Sequence, residues 1–461
     1  MSTPVSIAIL AAGLGTRMKS KKAKVLHHAG GMPLVEHVVT AALEIAGDPS
    51  RVVTVVGHQA AAVEAALSSY GTGHVLQADQ RGTGHALAMC QPMLEPAGGL
   101  VMVLYGDAPL IRVETLRGLL ELRESTGAAC VVITAELDDP HGYGRIVRSD
   151  AGDVAAIVEQ KALRDGQDAI REINSGIYCF RGDLLWKLLP GIRPNPASGE
   201  IYLTDMVEAI NAAGERVVPM CLEDPQEIFG INTRVELAEA DRILRERKTT
   251  ELMLSGVTIV RPETVTIDRG VKVGMDTVIE PFAQILGNTE IGEDCTIGAG
   301  AIIRNCTIDS QVIVEPYTLM GTTRLERGVH VGPFARLRQD NHVEAGAHVG
   351  NFVELKKTRL GAGSKSMHLA YLGDSVIGAK VNVGAGTITC NYDGRKKSPT
   401  QIGDGSFIGS NSTLVAPLQV GEGSYVAAGS VVTSDIPEDT LALGRARQVN
   451  KPGWPSRRRG H

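Results

Sequence analysis

Between Val271 and Ser434 an aliphatic residue returns at every sixth position, with mixed and glycine-rich residues in between. The slots are Val273, Ile279, Ile285, Ile291, Ile297 and Ile303, then, after a slip, Ile313, Leu319, Leu325, Val331, Leu337, Val343, Val349 and Leu355. They resume at Ile377 and Val383, and again at Ile402, Ile408, Leu414, Val420, Val426 and Val432. An α-helix would scatter such positions over its surface. A sandwich of short strands would not keep the spacing constant. A sustained period of six predicts hexapeptide repeats. Each phrase is then a short strand and a turn, and three phrases make one triangular coil. Stacked coils bury the aliphatic slots in a continuous column.

The first half is patterned differently. Apolar strands are predicted at 5–10, 51–56, 74–77 and 100–105, with helices at 33–45 and 60–67 between them. Residues 156–161 read as a strand with a polar tip, 172–178 repeat that pattern, and 200–205 open a helix. Strands alternating with helices predict an α/β domain whose mostly parallel sheet is covered on both faces. A highly charged helix then runs to about Leu254, with Asn232 or Thr233 as its N-cap. It carries few large apolar residues and joins two unlike regions, so it reads as a connector.

A chain of 461 residues is too long for one core. Its formal charge of −6 argues against a nucleic-acid partner, which favours a basic surface. The seven cysteines form no Cys-x-x-Cys and are odd in number, as expected of free thiols in a reducing cytoplasm. No apolar run approaches the roughly 20 residues that span a bilayer. The run Ile7 to Ala12 leads straight into a glycine loop, so it predicts a core strand rather than a signal peptide. Arg457-Arg458-Arg459 reads as a solvated tail.

Three polar loops follow predicted strands. Ala11-Ala12-Gly13-Leu14-Gly15-Thr16-Arg17-Met18, with Lys24 beyond, has the make-up of a phosphate cradle: glycines admit backbone N–H groups to an anion, and basic side chains offset its charge. It lacks the Gly-Lys-Ser/Thr of a Walker loop, and Met18 stands where a dinucleotide fingerprint has its third glycine. The others are the stretch from Gln77 to Ala86 and Gly106-Asp107. Taken singly, these are equally a strand-to-helix turn and a helix cap. All three fall at carboxyl ends of strands, where open α/β sheets bind ligands. A carboxylate beside a triphosphate is a natural Mg²⁺ ligand, so Asp107 is a candidate for that role.

Leu10 to Met18 with Lys24 resembles the signature of sugar-phosphate nucleotidyltransferases. Gln77 with Gly82-Thr83-Gly84, Tyr105-Gly106-Asp107, Gly142-Tyr143-Gly144-Arg145, Glu159, Asn174 and Asn232 are similar to its uridyltransferase members. The second half carries Arg336-Leu337-Arg338, Asn351 to Lys357, His368-Leu369-Ala370-Tyr371-Leu372-Gly373-Asp374 and Asn382 to Gly394. Together, over nearly the whole chain, these resemble the bacterial bifunctional N-acetylglucosamine-1-phosphate uridyltransferases/glucosamine-1-phosphate acetyltransferases. Two departures stand out. Gln339-Asp340 follows Arg338 where the pattern has Pro-Gly, and Arg395 to Thr400 forms an insert in which Lys397 matches the basic position.

The resemblance implies a Rossmann-like nucleotidyltransferase domain over 1–231, a connecting helix over 232–254, a left-handed parallel β-helix over 255–445 and a tail over 446–461. It implies that the chain acetylates glucosamine 1-phosphate from acetyl-CoA, then joins N-acetylglucosamine 1-phosphate to UMP from UTP, releasing pyrophosphate. Arg17 and Lys24 would hold phosphates, and Asp107 and Asn232 would hold Mg²⁺. Leu10, Ala11, Ala12, Gly13 and Tyr105 would line the nucleotide site. Gln77, Gly82 and Thr83 would read uracil, and Gly144, Glu159 and Asn174 would bind the sugar. In the β-helix, His368 would be the general base, since imidazole can take a proton from the sugar amine near neutral pH. Arg338, Lys356 and Lys397 would bind the sugar phosphate, with Tyr371, Asn382 and Asn391 positioning the sugar. Ala385, Asn391, Tyr392, Ser410, Ala428 and Arg445 would line the acetyl-CoA groove. A homotrimer with acetyl sites between subunits is implied as well. The competing expectations are a monofunctional nucleotide-sugar pyrophosphorylase with a structural or regulatory coil, and a non-catalytic scaffold of the same folds.

Overall fold

The computed structural model describes residues 3–196 and 199–458. The chain forms two compact units, Met1–Leu244 and Arg245–His461. No helix among the described residues is long and apolar enough to cross a membrane.

The main sheet of the first unit is built from β1 (Val5–Leu10), β2 (Val52–Val56), β3 (Gly73–Leu76), β4 (Leu100–Tyr105), β5 (Cys130–Glu136), β6 (Arg145–Arg148), β7 (Val154–Val158), β8 (Glu172–Arg181) and β9 (Val217–Leu222). The order is β9-β5-β8-β4-β1-β2-β3, with β6 and β7 joined through β8. Strands β4, β1, β2 and β3 run parallel, while β8 runs antiparallel to both β4 and β5. Alternate residues of β1 serve opposite cores: Ile7 and Ile9 one, Ala8 and Leu10 the other. The central strands are therefore apolar throughout, as a sheet covered on both faces requires. The helices that concern the site are α1 (Leu34–Ala46), α2 (Ala60–Leu67), α3 (Thr83–Leu94), α4 (Val113–Thr126), α5 (Gly182–Leu188) and α6 (Asp205–Ala212). Two expectations shift. Residues 200–202 are irregular chain and 203–204 a turn ahead of α6, rather than its first turn, and the polar tip at 160–162 is a short 3₁₀ turn rather than strand.

Helix α7 (Arg234–Leu254) crosses the division between the units. Ala240 and Ile243 lie in a core of the first unit with Leu34 and Leu110, and Leu252 lies in the core of the second.

The second unit is the left-handed parallel β-helix. Three ladders of two- to four-residue strands run along it, with eleven, ten and nine strands. One ladder stacks Ile279, Ile297, Val314, Val331 and Val349 in register. Their side chains are all but sealed from solvent and belong to one continuous core. Each such residue contributes about 1.5–3 kcal/mol relative to exposure. The slip after Ile303 is a five-residue phrase, and another follows Met320. Val314 and Met320 therefore point inward, while Ile313 and Leu319 are exposed. This corrects the sequence-based register. Removing one residue reverses which of two neighbours faces the core, because side chains alternate along a strand. The Gln339-Asp340 departure is absorbed locally: Asp340 adopts the left-handed conformation (φ 51). A short polar residue reaches that region more readily than most.

Candidate functional sites

In the α/β unit, the loop after β1 turns at Gly15 with φ 62, and a Cβ there would stand 2.6 Å from the Lys24 Cβ. Glycine lets the Lys24 stem cross the loop. The Lys24 ammonium pairs with the Asp107 carboxylate at the end of β4 and donates to Asn232 Oδ1 at 3.0 Å. Asn232 is released for this contact by its neighbour. Thr233 caps α7: Glu236 N donates to Thr233 Oγ1 at 3.2 Å, and Thr233 N donates back to Glu236 Oε2 at 2.8 Å. This reciprocal capping box makes Thr233 the N-cap, resolving the choice that the sequence left open. Two oxygen donors thus converge on one cationic point beside the glycine loop. No cluster of three or more His, Cys, Asp or Glu suited to a metal exists among the described residues. A carboxylate and an amide oxygen fit Mg²⁺, which takes few protein ligands and completes its shell with water and substrate phosphates.

A cavity of about 360 Å³ opens next to this point. Its walls bring together Leu10, Ala11, Ala12, Gly13, Lys24, Gln77, Gly82, Thr83, Tyr105 and Asp107. Gln77 is buried, and its Nε2 donates to Gly82 O at 3.1 Å and to His85 Nδ1 at 3.0 Å. Both amide hydrogens are therefore engaged, and Oε1 is the atom left to accept. Arg17 is not on the wall; it lies exposed on the 3₁₀ turn Thr16–Met18. Gly144, Glu159 and Asn174 form a neighbouring cluster: a Cβ on Gly144 would lie 3.7 Å from both Asn174 Cβ and Glu159 Oε1. Thr204 Oγ1 donates to Glu159 Oε1 at 3.3 Å, yet burial still pushes the Glu159 carboxyl above its ordinary value. Tyr105 is half-buried in the cavity wall. Burial raises its hydroxyl, and the charges of Asp107 and Glu159 add to the effect.

The same cavity is walled by Gln80, Glu200 and Tyr202, which sequence reasoning did not assign. Gln80 Nε2 donates to Ala12 O at 2.6 Å, and Leu203 N donates to Thr83 Oγ1 at 3.0 Å. Gly82 and Gly84 are the signal that could have led there. A Cβ on Gly82 would stand 2.5 Å from Ile201 O, so glycine at that point marks a strand of chain lying across the loop.

In the β-helix, His368 ends the strand Lys365–His368 and is registered opposite Asn351 on the preceding coil. The imidazole Nδ1 lies 2.8 Å from Asn351 Oδ1. Lys356 is buried and Lys397 is exposed, and their side-chain nitrogens are close enough that the Lys397 amine, once neutral, accepts from the Lys356 ammonium. That shared bond is the main reason Lys397 loses its proton more readily than an ordinary lysine and Lys356 holds its own more firmly; Asp374 also favours the charge on Lys356. Arg338 Nη1 donates to Glu354 Oε1 at 3.1 Å on the same ladder. Tyr371 and Asn391 flank Gly373, where a Cβ would stand 2.5 Å from the tyrosine oxygen and 2.9 Å from Asn391 Nδ2. The insert turns at Asp393, whose Oδ1 accepts the backbone N–H of Arg395 and of Lys396, both at 2.8 Å. It returns with Ser398 N donating to Asn391 O at 2.9 Å. Of the three consecutive basic residues, Lys397 is the one delivered to Lys356.

Asn382 lies on the coil after His368, opposite Lys365 rather than opposite the histidine. Ala385, Ser410, Ala428 and Arg445 follow one another along a single corner. Asn411 N donates to Ala385 O at 2.7 Å, Gly429 N to Ser410 O at 2.8 Å, and Arg445 Nη1 to Ala428 O at 2.9 Å. Tyr392 is exposed and donates its hydroxyl to Gly394 O at 2.7 Å.

Residues 7–173 match the MobA-like NTP transferase domain, and residues 270–305 and 399–434 match the bacterial transferase hexapeptide of six repeats. The chain is 55% identical over 459 residues to Bifunctional protein GlmU of Solibacter usitatus, covering 100% of this chain and 98% of that one. It is 48% identical over 457 residues to the protein of that name in Koribacter versatilis, covering 98% and 97% of the two chains. With the one in Brevibacillus brevis it shares 46% over 449 residues, covering 97% and 96%.

Proposed function

This chain belongs to the family of bifunctional GlmU proteins, and from that premise we propose how its two sites divide the work. The enzyme is a uridyltransferase and an acetyltransferase in one polypeptide. The observation that supports this most directly is that two separate sets of polar side chains, one in each unit, each assemble the groups its reaction needs.

In the α/β unit the sugar phosphate is already a nucleophile. The protein has to align it with the α-phosphate of UTP and offset negative charge. Lys24 and the exposed Arg17 supply positive charge, and the glycine loop supplies backbone N–H groups. Gln77, Gly82 and Thr83 hold the base, while Gly144, Glu159 and Asn174 hold the sugar and its acetamido group. Asp107 and Asn232 are the residues that would hold Mg²⁺, which when bound neutralises phosphate charge. Since Lys24 contacts both of these oxygens, its ammonium is the group that has to turn toward the phosphates when the nucleotide enters.

In the β-helix, Asn351 Oδ1 can only accept. It therefore keeps a proton on His368 Nδ1 and leaves the Nε2 lone pair free. That nitrogen takes the proton lost by the sugar amine as it attacks the thioester carbonyl of acetyl-CoA; the C–S bond then breaks, and the CoA thiolate leaves with the proton that His368 returns to it. Lys356, Lys397 and Arg338 bind the sugar phosphate, and Tyr371, Asn382 and Asn391 position the ring. Acetyl-CoA lies along the corner of Ala385, Ser410, Ala428 and Arg445, beside Asn391 and Tyr392. Small residues there let its pantetheine arm approach the backbone. The active form is a homotrimer. Support comes from the large apolar side chains that the coil leaves exposed, among them Phe334, Phe352, Ile388 and Phe407.

The test is mass spectrometry of one reaction holding the chain, glucosamine 1-phosphate, UTP and Mg²⁺, with and without acetyl-CoA. UDP-N-acetylglucosamine should appear only with acetyl-CoA. An unacetylated UDP-sugar in both tubes would leave a pyrophosphorylase with a structural coil.

A further inference from the structure

Asp374 follows Gly373 at a coil corner in the left-handed conformation (φ 49). Its backbone is held on both sides, with Asp374 N donating to Lys356 O at 2.8 Å and Thr400 N donating to Asp374 O at 3.2 Å. Its Oδ2 accepts from Asn391 Nδ2 and stands 3.7 Å from Lys356 Nζ. The lysine and aspartate side chains are 8% and 19% exposed. One carboxylate thus touches both a phosphate-binding candidate and a sugar-positioning candidate. The other acidic group on this ladder, Glu354, is engaged by Arg338. Without a counter-charge, a nearly buried ammonium beside a second ammonium is costly.

We propose that Asp374 is a positioning residue of the acetyl-transfer site, holding the Lys356 ammonium and the Asn391 amide so that Lys356 and Lys397 together receive the phosphate of the sugar. This rests on the reading of that site as the one for glucosamine 1-phosphate. The plainer account is that aspartate merely suits the turn: Asp276, Asp294, Asp340 and Asp439 also take positive φ in this coil. The two accounts part at Asp374→Asn. Asparagine tolerates the left-handed corner as well as aspartate does. Its oxygen can still accept from Asn391, but the charge facing Lys356 is gone.

The experiment measures acetyl transfer, uridyl transfer and thermal unfolding of the full chain and of Asp374→Asn. The KM for glucosamine 1-phosphate should rise by about tenfold, in keeping with loss of a charge-assisted contact. The kcat at saturation, the KM for acetyl-CoA, uridyl transfer and the unfolding temperature should hold. An unchanged KM for the sugar phosphate would overturn the proposal. A fall in unfolding temperature with both KM values worsened would also overturn it, placing Asp374 in the turn alone. Failure of the parent chain itself to acetylate would instead refute the reading of the site.

Discussion

His368 and Asn351 face each other across adjacent coils, Nδ1 to Oδ1, at 2.8 Å. The pairing decides which imidazole nitrogen carries the proton, and therefore which one can act as base. Asn351→Ala should lower kcat for acetyl transfer by roughly ten- to a hundredfold, less than the 10²–10⁴ typical of losing a general base outright. Uridyl transfer in the same preparation should be unchanged. An acetyl-transfer rate equal to that of the parent would show that the tautomer is set elsewhere.

Asp107 meets Lys24 in the other unit. Asp107→Ala should reduce uridyl transfer by at least about a hundredfold, the scale of losing one strong electrostatic contributor. It should also abolish the Mg²⁺-dependent part of stabilisation by UTP, read by thermal shift, with acetyl transfer retained. Equal loss of both activities in a folded variant would point to a structural role.

Gly82 O and His85 Nδ1 take the two amide hydrogens of Gln77, a residue of the cavity wall, which leaves Oε1 as its acceptor. An acceptor suits the N3–H of uracil and repels the bare N3 of cytosine. His85→Ala frees the amide to turn. The ratio of kcat/KM for UTP over CTP should fall by about tenfold, the worth of one hydrogen bond of roughly 1 kcal/mol or a little more. A parallel decline for both nucleotides would mean that His85 only packs.

Glu159 has a carboxyl raised above its ordinary 4.5 by burial, only partly countered by Thr204. In the proposed sugar site the ionised form would accept bonds from sugar hydroxyls. As pH falls toward this raised value, the protonated share grows, so the KM for N-acetylglucosamine 1-phosphate should climb earlier than for an ordinary carboxylate. Stability moves the opposite way: a carboxyl more basic in the folded than in the unfolded state destabilises as pH rises through that range. Initial rates across an acid pH series, with Glu159→Gln alongside, check the sign. The glutamine variant should lack this limb of the KM profile; its persistence would assign the limb to the substrate phosphate.

Gly350 sits where a Cβ would stand 1.9 Å from Met367 O, one residue before His368. Gly350→Ala must push the two coils apart at the strand that carries His368. Acetyl transfer should drop sharply and the unfolding midpoint should fall by several degrees, as for about 1–3 kcal/mol of overpacking. Unchanged acetylation would show that the coil can shift at no cost to His368.

Much of the fold was legible because both of its patterns are local. A strand at Val5–Leu10 followed by glycines, and an aliphatic residue every sixth position, each need only near neighbours to be recognised. The misreading at Ile313 and Leu319 arose where that locality broke. Nothing in the stretch itself says whether a phrase has lost a residue before or after the slot; the stacking partners, His330 and Arg336, place it. The capping box at Thr233 and Glu236 was also within sight of the sequence, though only the structure showed that it frees Asn232. Gln80 and Tyr202 escaped notice, because what makes them wall residues is a crossing of remote segments.

By itself, then, the sequence determined the kind of backbone in each half and the short motifs carried on it. Periodicity of burial selects strand, helix or coil within a few residues. The tertiary structure alone decided which of those motifs meet. Lys24 reaches Asp107 across 83 positions and Asn232 across 208. Such pairings depend on strand order and on which coil lies above which, and both are settled by burying apolar faces that the polar residues themselves do not belong to.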